Sequence, residues 1–211
     1  MTDSSGTSPD GRTLVLLRHA QAEPLGPAGD ADRPLTARGH ADAAAAGAWL
    51  GHGGHLPAVV ICSPAKRTRQ TWHEVALGMA APPARPVGGV ASGGSGPAWP
   101  DGQPAGHPGS PVTTANDAPS AVPVVRYEPL VYRGSADDLL NLVRATDPAA
   151  RTVLLVGHNP SISRLSMLLD PVHAAPDGLT TCGIAIHRVT GAWTDVGPEA
   201  GPIVKWHTAR G

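Results

Sequence analysis

Apolar positions along this chain fall into short unbroken runs separated by longer stretches with helical character. Thr13–Leu17, Ala58–Cys62 and Thr152–Val156 are continuous apolar runs, the pattern of strands buried on both faces. Val122–Tyr127 predicts a further strand between the second and the last of these. Leu35–Leu50 is Ala-rich and predicts a helix, with Thr36 at the N-cap. Ser63-Pro64 predicts a helix start, with Ser63 as cap and Pro64 at the first helical position. Ser135–Thr146 predicts another helix, whose Ser135 and Asp138 form a capping box with Asp in place of Glu. Pro160 to about Leu169 predicts the last helix. Thr181–Arg188, Trp193–Val196 and Ile203–Trp206 read as late strands, with Thr190-Gly191 turning between the first two. Strands alternating with helices predict an α/β fold, a three-layer α/β/α sandwich around a mostly parallel central sheet with an antiparallel edge.

One segment breaks this rhythm. Residues 81–121 hold 8 Gly and 9 Pro in 41 residues, with Arg85, Asp101 and Asp117 as the charged positions. Such a stretch builds no apolar face, and Pro removes ladder donors, so it is expected to be a disordered insertion. The halves on either side read as parts of one fold. The expected organisation is therefore a flexible N-terminus, 1–12, and a single domain, 13–211, carrying the insertion at 81–121.

Length and charge narrow the function. The chain has 211 residues, enough for one domain with a sizeable core, and a formal net charge of -1. Near-neutrality argues against nucleic acid or an anionic membrane as partner, because both call for a basic face. Aromatics make up 3% with no Phe, which disfavours a base-stacking surface. No run of about 18 apolar residues is present, and Met1–Arg12 lacks the apolar centre of a secretory leader, so a cytoplasmic location is expected. The two cysteines, Cys62 and Cys182, sit beside β-branched runs and are expected to be buried thiols.

The chemistry lies at strand ends, where open α/β sheets bind ligands. Arg18-His19 follows the first strand, Ser63-Pro64-Ala65-Lys66-Arg67 the second, and Gly157-His158-Asn159 the fourth long run. Lys66, Arg67 and Arg69 fall in the first turns of a helix, where cations cost up to about 1 kcal/mol each. A bound anion reverses that sign, and the helix start near Pro160 offers further free N–H groups. Arg18 and Arg67 with two helix starts describe a phosphate site, while Arg69 reads as a solvated surface residue. His19 beside them is a competent phosphoryl nucleophile when neutral.

Three segments carry a resemblance: Leu-Leu-Arg18-His19-Ala20, Ser63-Pro64-x-x-Arg67-x-x-x-Thr71 and Gly157-His158-Asn159. In order and placement they resemble the signatures of the histidine phosphatase superfamily, whose fold is phosphoglycerate mutase-like. Asp32-Arg33-Pro34-Leu35-Thr36-x-Arg38-Gly39 resembles the segment after the first motif in SixA-type phosphohistidine phosphatases, and Ala20 fits that branch. The resemblance implies a metal-independent phosphatase that needs no cofactor and acts through a phosphohistidine. It implies His19 as nucleophile, with Arg18, Arg67 and His158 binding the phosphoryl group. It implies a phosphohistidine-bearing protein, or a small phosphorylated molecule, as substrate. Asn159 is expected to cap the following helix. His52 and His55 read as a polar loop, not as metal ligands.

The chain departs from the family at one point. Mutases and broad-specificity phosphatases place a Glu shortly after the third strand as general acid, and here Tyr132 falls at that position. Glu128, Asp30 and Asp32 are the other candidates, with pairing to Arg33 or Arg38 as the simpler reading of the two aspartates. An isomerase of the mutase type and a non-catalytic binder of phosphorylated ligands are the competing functions.

Overall fold

The computed structural model describes residues 11–81 and 122–211. Six strands form one sheet: β1 (Arg12–Arg18), β2 (Val59–Cys62), β3 (Val124–Tyr127), β4 (Thr152–Gly157), β5 (Gly183–Val189) and β6 (Ile203–Thr208). The order is β3-β2-β4-β1-β5-β6, so strands from both sides of residues 82–121 interleave in a single sheet. β3, β2, β4 and β1 are mutually parallel, and β5 runs antiparallel to both β1 and β6. This is the expected α/β fold, a mostly parallel sheet with antiparallel pairing at one edge.

The unbroken apolar runs are explained by two cores. Leu14 and Leu16, Val59 and Ile61, and Val153 and Leu155 face one of them. Val15 and Leu17, Val60 and Cys62, and Leu154 and Val156 face the other. Successive strand side chains point to opposite faces, so a strand covered on both sides must be apolar throughout. The first core is closed by α4 (Ala136–Arg144) and α5 (Ser161–Leu169), through Leu139, Val143, Ile162 and Leu165. The second is closed by α1 (Ala37–His52) and α2 (Lys66–Ala80), through Ala43, Ala46, Leu50, Trp72 and Val75. Helices α1 and α2 lie backbone to backbone. A Cβ on Gly47 would fall 2.1 Å from the Val75 carbonyl, and one on Gly78 would fall 2.2 Å from that of Ala44.

Several boundaries differ from the sequence expectation. Arg12, assigned to the flexible N-terminus, is the first residue of β1. Ser63 does not cap α2, which starts at Lys66 behind Ala65. The Ser63 hydroxyl is instead drawn to His158 on a neighbouring strand end. Trp193–Asp195 is a 3-10 turn and not a strand, because the buried Trp193 indole anchors it by donating to the Ala150 carbonyl. The short helix α3 (Pro129–Arg133) was not anticipated; Pro129 opens it and Gly134 ends it. His52 closes α1, donating from Nδ1 to the Ala48 carbonyl, and does not belong to a loop. Thr36 and the Ser135–Asp138 capping box stand as expected. Both cysteines are buried and unbridged, and burial pushes each thiol up to about 12. The insertion expected at 81–121 lies outside the described residues except for Ala81. No described helix is long and apolar enough to cross a membrane.

Candidate active site

The strand order decides which residues meet. β2, β4 and β1 are adjacent and parallel, and their C-terminal ends are level: Arg18 pairs with Gly157 and Cys62 with Val156. The residues that follow, His19, Ser63 and His158, therefore emerge side by side. Arg67 joins them from the first turn of α2. All four residues singled out by sequence, Arg18, His19, Arg67 and His158, lie within this one cluster.

His19 is held from every side. Its backbone N–H donates to the Gly157 carbonyl at 3.0 Å, and its carbonyl accepts from Cys182 N–H at 3.1 Å. The next amide, Ala20 N–H, donates to Thr71 Oγ1 at 3.1 Å, and the Thr71 hydroxyl donates to the Arg67 carbonyl at 2.7 Å. The threonine of the second motif thus ties the first motif to α2. In the ring, Nδ1 lies 2.8 Å from the Ala20 carbonyl. A carbonyl only accepts, so Nδ1 carries the proton and Nε2 carries the lone pair. Arg67 Nε donates to that Nε2 at 3.3 Å. Burial, aided by the Arg67 and Arg18 charges, holds the His19 imidazole down to about 4, so it is neutral at pH 7.

His158 faces His19, with ring centroids 5.0 Å apart. Burial chiefly, with His19 and the Arg67 charge, pushes it down to about 3. Its Nε2 is 2.8 Å from the Ser63 hydroxyl. Among the described residues, three buried side-chain polar atoms lack a hydrogen-bond partner: Arg12 Nε, Arg18 Nε and His158 Nδ1. Two of the three belong to this cluster. Buried polar atoms without a partner are costly in a folded protein, so two in one place mark a position where a ligand completes the network. Arg18 is steadied by donating from Nη1 to the Leu179 carbonyl at 2.9 Å. Asn159 reaches the same carbonyl through Nδ2 at 3.0 Å and accepts from the Ser163 hydroxyl. It braces the loop under Arg18 and does not cap α5, whose N-cap is Pro160.

The candidate acids have other duties. Asp30 accepts from Arg67 Nη2 at 2.9 Å, from Arg33 Nη1 at 2.8 Å and from the Tyr132 hydroxyl at 2.8 Å. Chiefly Arg33, then Tyr132 and Arg67, hold its carboxyl well below the usual carboxylate range. Glu128 is paired with Arg126 at 2.8 Å. Asp32 is exposed. Tyr132 itself stands in the cluster, edge-on to His158 at 5.3 Å between centroids, with the Arg67 guanidinium 5.7 Å above its ring. Its hydrogen bond to ionised Asp30 raises the phenol above its usual value. Arg69 is exposed, as expected. Sequence reasoning missed the Leu179 carbonyl and the pairing of Ser63 with His158. No local pattern marks the first, and a Ser before Pro reads most simply as a helix cap.

The family model of the histidine phosphatase superfamily (branch 1) matches residues 14–85. A solved structure of a candidate phosphohistidine phosphatase SixA from Nakamurella multipartitia is 31% identical, with a TM-score of 0.65 over 94% of this chain and 96% of that one. The chain belongs to the histidine phosphatase superfamily. It is an enzyme with phosphatase activity, and its fold is that of the phosphoglycerate mutase-like proteins. An uncharacterised Mycobacterium tuberculosis protein is 28% identical over 92% of this histidine phosphatase and 100% of its own length. The protein histidine phosphatase SixA complexed with tungstate shares the fold, with a TM-score of 0.64 at 20% identity over 93% of this chain and 96% of that one.

Proposed function

We propose that this phosphatase acts through a phosphohistidine at His19 and that its substrate is phosphohistidine in a protein. The observation that carries the reading is the state of the His19 ring. Nδ1–H is committed to the Ala20 carbonyl, and Nε2 is left neutral and unprotonated beside the Arg67 guanidinium. A neutral imidazole with a fixed tautomer is a nucleophile that needs no base to activate it.

In the first step the Nε2 lone pair forms a bond to phosphorus, and the bond to the leaving atom breaks with its electron pair. Arg18, Arg67 and His158 hold the equatorial oxygens, and charge developing on them is met by groups already in position. In the second step water attacks the same phosphorus and Nε2 recovers its lone pair. The positive charge for this chemistry comes from two guanidiniums, so the proposed reaction runs without a metal ion. Similarity to the Nakamurella protein supports phosphohistidine as substrate. Tyr132 at the position of the mutase acid disfavours the isomerase reading.

The test is to trap the intermediate. Brief incubation with a radiolabelled phosphohistidine peptide, quenched in alkali, should leave acid-labile label on a peptide containing His19. His19→Ala should carry no label and turn nothing over. Turnover by folded His19→Ala would remove His19 from the mechanism.

A further inference from the structure

Asp30 is the one residue of the cluster whose charge is wrong for phosphate. It lies in a 3-10 turn, Asp30–Asp32, between β1 and α1. The Arg67 guanidinium that reaches His19 Nε2 through Nε also donates through Nη2 to Asp30 Oδ2 and through Nη1 to the Asp30 carbonyl. Nucleophile and carboxylate are thus one guanidinium apart. An anion there repels an incoming phosphoryl dianion and competes with it for Arg67. The cost is recovered if the substrate brings a positive charge of its own.

The carboxylate is placed to receive one. Oδ2 accepts from Arg67 and Tyr132, and Oδ1 accepts from Arg33. A carboxylate offers about four acceptor positions, so one remains, on Oδ1. The side chain is 43% exposed, which leaves that position open to a molecule arriving from solvent. Arg33, Arg67 and Tyr132 face Asp30, and behind them stand Arg18, His19 and His158; all but Asp30 are neutral or cationic at pH 7. Among these side chains Asp30 is the anion, and three donors fix it in place; the neighbouring Asp32 is exposed.

We propose that Asp30 determines specificity by accepting the N–H of a protonated nitrogen leaving group, so that the site favours phosphoramidates over phosphate esters. The proposal rests on the phosphatase reading given above. For a phosphoimidazolium substrate, His19 Nε2 bonds to phosphorus, and the old P–N bond breaks with its pair going to the departing ring nitrogen. The other ring nitrogen keeps its proton throughout, donated to Asp30, and the ring leaves as neutral imidazole. A carboxylate beside that ring favours its charged form, which is the form that departs without further protonation.

The rival role for Asp30 is to hold Arg67 in place, and a ratio of rates separates the two. Phosphoenzyme formation is measured at saturating phosphohistidine peptide and at saturating p-nitrophenyl phosphate, for the full chain and for Asp30→Asn. The phosphohistidine-to-aryl ratio should fall about tenfold or more in the variant, the scale of a lost hydrogen bond between charged groups. An unchanged ratio, with or without a loss common to both substrates, overturns the proposal. A second measurement needs no variant: wild-type protein should react at least tenfold more slowly with 1-methyl-3-phosphoimidazolium, which has the charge but no N–H, than with phosphoimidazole. Equal rates overturn the proposal. Wild type that is phosphorylated by the aryl ester and not by either phosphoramidate also overturns it, and leaves the phosphatase chemistry standing. Wild type phosphorylated by none of these probes defeats the phosphatase reading itself.

Discussion

Arg67 Nε lies 3.3 Å from His19 Nε2, a cation donating to an imidazole at its lone pair. The contact is possible only because the ring is neutral, since a protonated ring would set two positive charges together in a part-buried site. Arg67 is 5% exposed, and its guanidinium is turned by Asp30 so that Nε faces the ring.

That neutrality predicts an acid-sensitive fold. The His19 ring titrates at about 4 in the folded chain and near 6.5 when unfolded. Between those values the unfolded chain holds a proton that the folded one does not. Stability is therefore complete above about pH 6.5 and falls as pH drops toward 4, by up to about 1.4 kcal/mol per pH unit for each such group. His158, at about 3, acts in the same direction. Urea midpoints measured from pH 7.5 to 4.5 should fall steadily, and His19→Ala should flatten the slope. An equal slope in the variant would show that His19 is protonated as easily in the folded state as in the unfolded one.

Arg67 should matter by its shape as well as its charge. Nε faces His19 while Nη1 and Nη2 face Asp30, and an ammonium cannot satisfy both directions. Inorganic phosphate or tungstate should raise the melting temperature of wild type, since a ligand at 100 times its dissociation constant adds about 2.7 kcal/mol. Arg67→Lys should lose most of that shift. A shift equal to that of wild type would mean that the anion does not bind here.

Much of this site was legible in the sequence because strand ends and buried runs are local features. Once β1, β2 and β4 are recognised as double-faced strands, Arg18-His19, Ser63 to Arg67 and Gly157-His158 must lie at one end of a parallel sheet. What escaped depends on contacts distant in sequence. Ser63 looks like a cap because caps are local, yet its hydroxyl partner is His158, contributed by another strand. Trp193–Val196 has the apolar content of a strand, but its indole reaches Ala150 and turns the chain. Asp30 and Asp32 were expected to pair with Arg33 or Arg38; Asp30 pairs with Arg33, but Arg67 and Tyr132 also reach it from two other elements.

The Ser63 contact predicts a positioning role. Its hydroxyl accepts from Ala65 N–H at 3.3 Å, and among the described residues the acceptor left for its own proton is His158 Nε2 at 2.8 Å. That assigns the His158 proton to Nδ1, the orphaned atom, as a donor ready for a phosphoryl oxygen. Ser63→Ala frees the tautomer and should slow phosphoenzyme formation by several-fold, up to about tenfold, with little change in substrate affinity. Ser63→Thr keeps the hydroxyl and should restore the rate. Failure of Ser63→Thr to rescue, in a folded protein, would make the effect one of packing.

The last prediction concerns the leaving group. Expelling an alkoxide at neutral pH needs a proton, because an alcohol is about as weak an acid as water, ~15.7. No carboxyl in the cluster can give one. Asp30 is held ionised by three donors, and Glu128 is tied to Arg126. The Tyr132 hydroxyl stands where the family's acid would fall, but it is spent on Asp30, whose charge raises the phenol further. Phosphoenzyme formation should therefore depend steeply on leaving-group acidity across a series from nitrophenyl to alkyl phosphates. General acids contribute roughly 10²–10⁴-fold, and a penalty of that order should separate sugar phosphates from activated aryl phosphates. Tyr132→Phe should leave the steepness unchanged, because a phenol bound to a carboxylate is not donating to the substrate. If the dependence is flat in wild type and becomes steep in Tyr132→Phe, then Tyr132 releases Asp30 during turnover and serves as the acid in place of the missing Glu.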